Sequence, residues 1–207
     1  MSETTEVKEK SVEEYAATVA SRPLPDVDVT CQALATEPFT KKGDCAAAAA
    51  GPVHHNNLLF APVNAKNLGQ LRVLNHVCFP LTYGESFYSQ VLLPDHKEFC
   101  FFACDGGDIP VGAICCRLEE NGTRVYIMTL DVLTAYRRLG IGAALVKELI
   151  RRLESHKKVK EITLHVHTPN DGAVAFYQSL DFEVVETVES YYKNLTPSSA
   201  FLLRKKL

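Results

Sequence analysis

Tyr136-Arg137-Arg138-Leu139-Gly140-Ile141-Gly142 is the stretch on which the reading of this chain turns. It follows a run, Arg124 to Leu133, that reads as a strand, and it opens Ile141 to Leu153, which reads as an amphipathic helix. The spacing is Arg-x-x-Gly-x-Gly, from Arg137 through Gly140 to Gly142. The first turn of a helix has N–H groups without intrahelical acceptors and carries a partial positive charge. Glycine lets a backbone approach a phosphate with no Cβ in the way. Arg137 and Arg138 add charged donors beside that turn. Taken alone, the segment fits either a pyrophosphate cradle or a simple tight strand-to-helix turn.

Working outward, Leu58 to Val63 reads as a short strand, and Asn64 as the cap of a helix with apolar positions Leu68, Leu71, Leu74 and Val77. Gly84 to Leu93 suggests a second short helix. Phe99 to Cys104 and Val111 to Leu118 read as strands joined by the turn Asp105-Gly106-Gly107-Asp108, and Asn121-Gly122 turns into the strand at Arg124. After the helix at Ile141 come a strand at Glu161 to Val166, a helix at Asp171 to Leu180, a strand at Phe182 to Glu186 and a last strand at Ala200 to Arg204. This order implies an α/β fold: a mixed, mostly antiparallel sheet of about seven strands flanked by helices, with parallel pairing in its middle. Residues 1–53 differ from the rest. They hold a charged start, a possible capping box at Ser11-Val12-Glu13-Glu14, two prolines and an alanine run, and read as a disordered tail before a single domain at 54–207.

Composition excludes several function classes. With 46% hydrophobic and 23% charged residues, the chain is of ordinary globular make-up. A net charge of -3 makes no case for nucleic acid or an anionic membrane as partner. There is no apolar run long enough to span a bilayer, and the acidic start lacks the apolar segment of a secretory signal. The seven cysteines are odd in number and form no paired Cys-x-x-Cys metal pattern, so no metal is expected and a reducing compartment, cytosol or nucleus, fits best.

The glycine loop, with Asn170 before a later helix, Tyr177 within it and Phe182 closing the run Phe176-Tyr177-x-x-x-Asp181-Phe182, resembles the acetyl-CoA signature of the GNAT superfamily. Asp181 stands where that pattern has glycine, and Asp tolerates the left-handed conformation the turn demands. Further stretches resemble the San-type N-alpha-acetyltransferase 50 family, which carries NatE activity. They include Phe79-Pro80-Leu81-Thr82-Tyr83, Val111 to Arg117, Tyr126-Ile127-Met128-Thr129-Leu130, Leu164-His165-Val166 and Tyr191-Tyr192-Lys193. The likeness covers about Leu58 to Leu207 and leaves out the tail.

The resemblance implies direct attack of a neutral amine on acetyl-CoA, with acetyl-CoA as co-substrate, no metal and no covalent enzyme intermediate. Having the neutral amine at pH 7 costs roughly 1 kcal/mol for a protein α-amine and ~4.6 for a lysine, so an α-amine needs only a mild base. Tyr126 and His165 match the family's pair that holds an ordered water and acts as base. Read from the strands alone, each is equally a packed core residue, while His167, matching no family motif, is read as peripheral. For the cofactor, the resemblance points to Leu130, Val132, Arg137, Arg138, Gly140, Ile141, Gly142, Asn170 and Tyr177. Tyr177 either protonates the departing CoA sulfur or only binds the cofactor. For the peptide it points to Phe79, Pro80, Leu81, Tyr83, Met128, Tyr191, Tyr192 and Leu195. Protein N-termini that retain Met before a hydrophobic residue are the implied substrates, and the NatA auxiliary and catalytic subunits at the ribosome the implied partners. Acetylation of lysines or small amines, and a non-catalytic acetyl-CoA-binding subunit, are the competing readings.

Overall fold

The computed structural model describes residues 58–79, 82–106, 109–193 and 195–207. The tail and its capping box lie outside them, as do Pro80 and Leu81. In chain order the elements are β1 (Leu58–Pro62), α1 (Leu68–Cys78), α2 (Glu85–Val91), β2 (Phe101–Asp105), β3 (Ile109–Glu119), β4 (Arg124–Val132), α3 (Ile141–Leu153), β5 (Glu161–His167), α4 (Asp171–Gln178), β6 (Glu183–Val188) and β7 (Ala200–Lys206). The strands form one seven-stranded sheet in the order β1-β2-β3-β4-β5-β7-β6. Only β4 and β5 run parallel, as strands joined by a crossover helix must; every other pair is antiparallel.

Both faces of the sheet are covered, which is why β3 and β4 are almost continuously apolar. On one face α3 lays Ile141, Leu145, Val146, Leu149 and Leu153 against Ile114, Ile127, Ile162, Leu164 and Leu203. That spacing is the stripe of a helix half in the core, and each such side chain stabilises by roughly 1.5–3 kcal/mol. On the other face Leu71 and Leu74 of α1 and Phe87 and Val91 of α2 pack on Phe102, Ala113, Cys115 and Met128. The five cysteines among the described residues, Cys78, Cys100, Cys104, Cys115 and Cys116, are free and buried in these cores.

Two local expectations fail. Asn64 does not cap α1: its Oδ1 accepts from the N–H of Lys66 and Asn67, while Asn67 Oδ1 accepts from Asn64 N–H, so the two side chains close a turn ahead of the helix. An Asx turn competes with a cap for the same oxygen. Val77 is not part of the buried stripe but exposed; Leu71, Leu74, Asn75 and Cys78 supply it. At 100° per residue, Val77 is turned away from the line through Leu71, Leu74 and Cys78.

The feature that shapes the site is where β4 and β5 stop pairing. Their ladder holds Arg124 with Glu161, Val125 with Ile162 and Tyr126 with Thr163, and ends there, although the strands continue to Val132 and His167. The β3–β4 register shifts where Cys115 faces Thr129 and Cys116 faces Ile127, leaving Met128 of β4 as the extra residue, and this bulge accompanies the parting. The result is a fork opening toward the loop that starts α3.

Candidate active site

Tyr126 and His165 stand at the vertex of this fork. Tyr126 is in the last paired position of β4, and His165 lies two residues past its partner Thr163 on the same face of β5. The Tyr126 hydroxyl is 3.1 Å from Nδ1 of His165 and 3.1 Å from the hydroxyl of Tyr191. Tyr191 arrives from the β6–β7 loop and stacks on His165, rings 4.1 Å apart and 16° from parallel. Burial, and then the neighbouring Tyr191, push the Tyr126 phenol well above its ordinary value. Burial, reinforced by the Arg117 guanidinium, lowers His165 to about 4. At neutral pH the phenol therefore keeps its proton and the imidazole is uncharged.

Arg117 is a site neighbour for which the motifs imply no role. It pairs with Tyr126 across β3 and β4, sets its guanidinium 4.7 Å from the centre of the Tyr126 ring, and donates from Nε to Glu119 at 2.8 Å. A charge at the end of the apolar run Val111 to Cys116, opposite a catalytic candidate, was the available signal.

Around the vertex, Met128 is buried beside Tyr126 in the α1–α2 core. Phe79 and Tyr83 are buried in the same core, rings 5.4 Å apart. Tyr192 is buried edge-on to Tyr191, and Leu195 is half-buried further along the loop. The structure thus places Phe79, Tyr83 and Met128 together in the α1–α2 core and Tyr191 and Tyr192 against His165 and His167 of β5, with Leu195 half-buried in the same loop.

At the mouth of the fork, Arg138 and Gly140 both adopt left-handed backbone, φ 65° and 79°. Gly140 heads α3 with no side chain capping it, and the first intrahelical bond is donated by Ala144 to Gly140. The N–H groups of Ile141, Gly142 and Ala143 have no intrahelical acceptor, so the helix end suits a pyrophosphate. Gly142 has a packing role as well: a Cβ there would meet Phe176 at 3.3 Å. Arg138 is exposed, whereas Arg137 turns back and donates from Nε to the carbonyl of Val132 at 3.1 Å. Leu130, Val132 and Ile141 bury their side chains in the α3 core. Asn170 caps α4, its Oδ1 accepting from Ala173 N–H at 3.0 Å. Tyr177 is fully buried between Phe176 and Phe182. Asp181 has φ 63°, the left-handed conformation expected of it.

Acetyl-CoA fits this arrangement on two observations: the uncapped helix end with its left-handed loop, and the stretch of β4 beyond Tyr126 that has no β5 partner to pair with. The described chain from 68 to 182 matches the acetyltransferase (GNAT) family. This chain belongs to the GNAT family. Within it, the chain is 40% identical over 148 residues to N-alpha-acetyltransferase 50 of Danio rerio, covering 70% of this chain and 86% of the relative. It is 41% identical over 148 residues to the probable N-acetyltransferase san of Drosophila melanogaster, covering 70% and 78%. These place it in the N-alpha-acetyltransferase 50 group of GNAT enzymes. Among solved structures, Arabidopsis thaliana Naa50 in complex with the bisubstrate analogue CoA-Ac-MVNAL superimposes with a TM-score of 0.67 at 40% identity, covering 73% of this chain and 99% of that one. The open seven-stranded sheet is thus the GNAT fold, and this GNAT enzyme is an acyltransferase.

Proposed function

We propose that this enzyme transfers acetyl from acetyl-CoA to the α-amine of protein N-termini, preferring a retained Met followed by a hydrophobic residue. The observation that carries it is the fork: a vertex holding Tyr126, His165 and Tyr191, with an anion-binding helix start at its mouth and an aromatic, apolar wall on one side. The bound thioester supplies an activated acetyl group. The chain's own residues do the rest. The backbone of β4 past Tyr126 and the amides of the α3 start hold and orient the cofactor. Neutral His165, directly or through water, accepts a hydrogen bond from the incoming amine and helps take its proton. The buried Tyr126 phenol keeps His165 oriented, and the wall formed by Phe79, Tyr83, Met128 and Leu195 excludes water. Support for the peptide class comes from the Arabidopsis relative, whose bisubstrate analogue begins Met-Val. By the same family resemblance we propose a cytosolic or nuclear enzyme that works beside the NatA auxiliary and catalytic subunits.

The deciding experiment compares initial rates on a free Met-Leu peptide, the same peptide N-formylated, and an internal-lysine peptide. Transfer to the free peptide alone is expected. Equal rates on all three would replace the N-terminal reading with lysine acetylation.

A further inference from the structure

From the sequence alone, His167 reads as peripheral. The structure puts it at the end of β5, against the β6–β7 loop that carries Tyr191 and Tyr192. It is the last residue of β5, pairs with Ala200 of β7, and is 7% exposed. Its Nε2 lies 2.6 Å from the carbonyl oxygen of Pro197. A carbonyl can only accept, so Nε2 carries the proton in that bond. The His167 ring is edge-on to Tyr192, centres 5.4 Å apart and 88° between planes. Tyr192 in turn is edge-on to Tyr191 at 4.8 Å, and Tyr191 stacks on His165.

Two histidines on one face of β5 therefore support two consecutive tyrosines of the β6–β7 loop: His165 lies under Tyr191 and His167 under Tyr192. The loop is closed at its neck by Tyr192 N–H donating to Ser198 O at 2.8 Å and by Thr168 N–H donating to Ser199 O at 3.2 Å. His167 adds a bond to Pro197, within the loop, from a rigid strand.

We propose that His167 is a positioning residue for the acceptor side of the site, acting through Tyr192 to hold Tyr191 over His165. This rests on the acetyl-transfer reading above for its kinetic consequence, but not for its structural one. Both parts of the side chain contribute: the Nε2 donor anchors the loop at Pro197, and the ring buttresses Tyr192. The affected quantity is engagement of the peptide. The cofactor mouth at Gly140 is built on different elements and stays as it is.

Three variants separate the contributions. H167F keeps a ring and removes the donor, H167Q keeps a donor and removes the ring, and H167A removes both. The readouts are KM for a Met-Leu peptide, KM for acetyl-CoA, and the rate of limited trypsin cleavage after the exposed Lys193. Losing one buried hydrogen bond corresponds to a change of about five- to tenfold. We expect H167F and H167A to raise peptide KM and Lys193 cleavage by at least that factor, with acetyl-CoA KM unchanged and H167Q closer to wild type. Unchanged peptide KM and cleavage in H167F and H167A would overturn the proposal. So would a parallel loss of acetyl-CoA affinity, which marks general destabilisation. If the wild-type enzyme acetylates no N-terminal peptide, the functional reading fails. Cleavage at Lys193 then still decides the latch, and equal rates across the variants would refute it.

Discussion

His165 and Asp131 show how burial acts in opposite directions on a base and an acid. His165 is lowered to about 4, so acid titration of the imidazole lies far below the working range. The rising limb of activity should then belong to the substrate, whose α-amine titrates near about 7.7–8.0. We expect kcat/KM for the peptide to rise tenfold per pH unit up to about pH 8, with no break at the ordinary histidine value. Peptides whose amines differ in pKa should move the limb with them. A limb near pH 6.5 that ignores the peptide would show a charged His165 instead. Asp131, on β4 between Leu130 and Val132, is buried with Oδ1 accepting from Ala113 N–H at 2.8 Å, and burial raises it to about 7. Between its unfolded value of 3.8 and about 7 the native state holds a proton that the unfolded chain has released. Its contribution is therefore present below 3.8 and is lost as pH rises through 7, on the order of 4 kcal/mol in all. Asp131→Asn mimics the protonated form. Its Tm should match wild type at pH 3.5 and exceed it by several degrees at pH 8.5, with the offset opening between those values. An offset that is the same at both pH values would mean that Asp131 does not titrate in this window.

Among the elements, α3 was fully legible: its bounds, Ile141 to Leu153, follow from a glycine start and a clean apolar stripe. The strands of the sheet were legible to within a few residues, because Val, Ile and Cys alternate or run together between turn residues. The fork was not legible. Nothing in the composition of β4 or β5 marks where a parallel ladder stops, because pairing depends on the partner strand and on the bulge at Met128, which only the β3–β4 register reveals. For the same reason the site pair Tyr126 and His165 needs the family resemblance, Arg117 shows only as a charge ending an apolar run, Asp131 carries no signal of its own, and His167 reads as peripheral. The loop that begins α3 carries its own test. Gly140 at φ 79° would be strained by any side chain, by about 1–2 kcal/mol. Gly140→Ala should weaken acetyl-CoA binding about tenfold by calorimetry while the fold persists. Unchanged affinity in the folded variant would remove this loop from the cofactor site.

For the whole molecule, the sheet separates two jobs. The α3–α4 face and the mouth of the fork carry the features that suit a cofactor, and the α1–α2 face with the β6–β7 loop is where we propose the acceptor wall. That wall is assembled from stretches far apart in sequence: Phe79 and Tyr83, then Met128, then Tyr191, Tyr192 and Leu195. No short window of the chain contains it, and its character appears only when the fold brings these together. This set carries no cation, and its members present rings, a thioether and an aliphatic chain. Burying a Met or Leu side chain against such a wall is worth roughly 1.5–3 kcal/mol. A carboxylate in the same place would be desolvated without a partner. A peptide beginning Met-Leu should therefore exceed one beginning Ser-Glu by at least about tenfold in kcat/KM, measured at subsaturating peptide and saturating acetyl-CoA. Because the wall is shared among three segments, Met128→Ala should narrow that ratio rather than abolish transfer. A wild-type enzyme that treats the two peptides alike would show that these side chains close the core without reading the substrate.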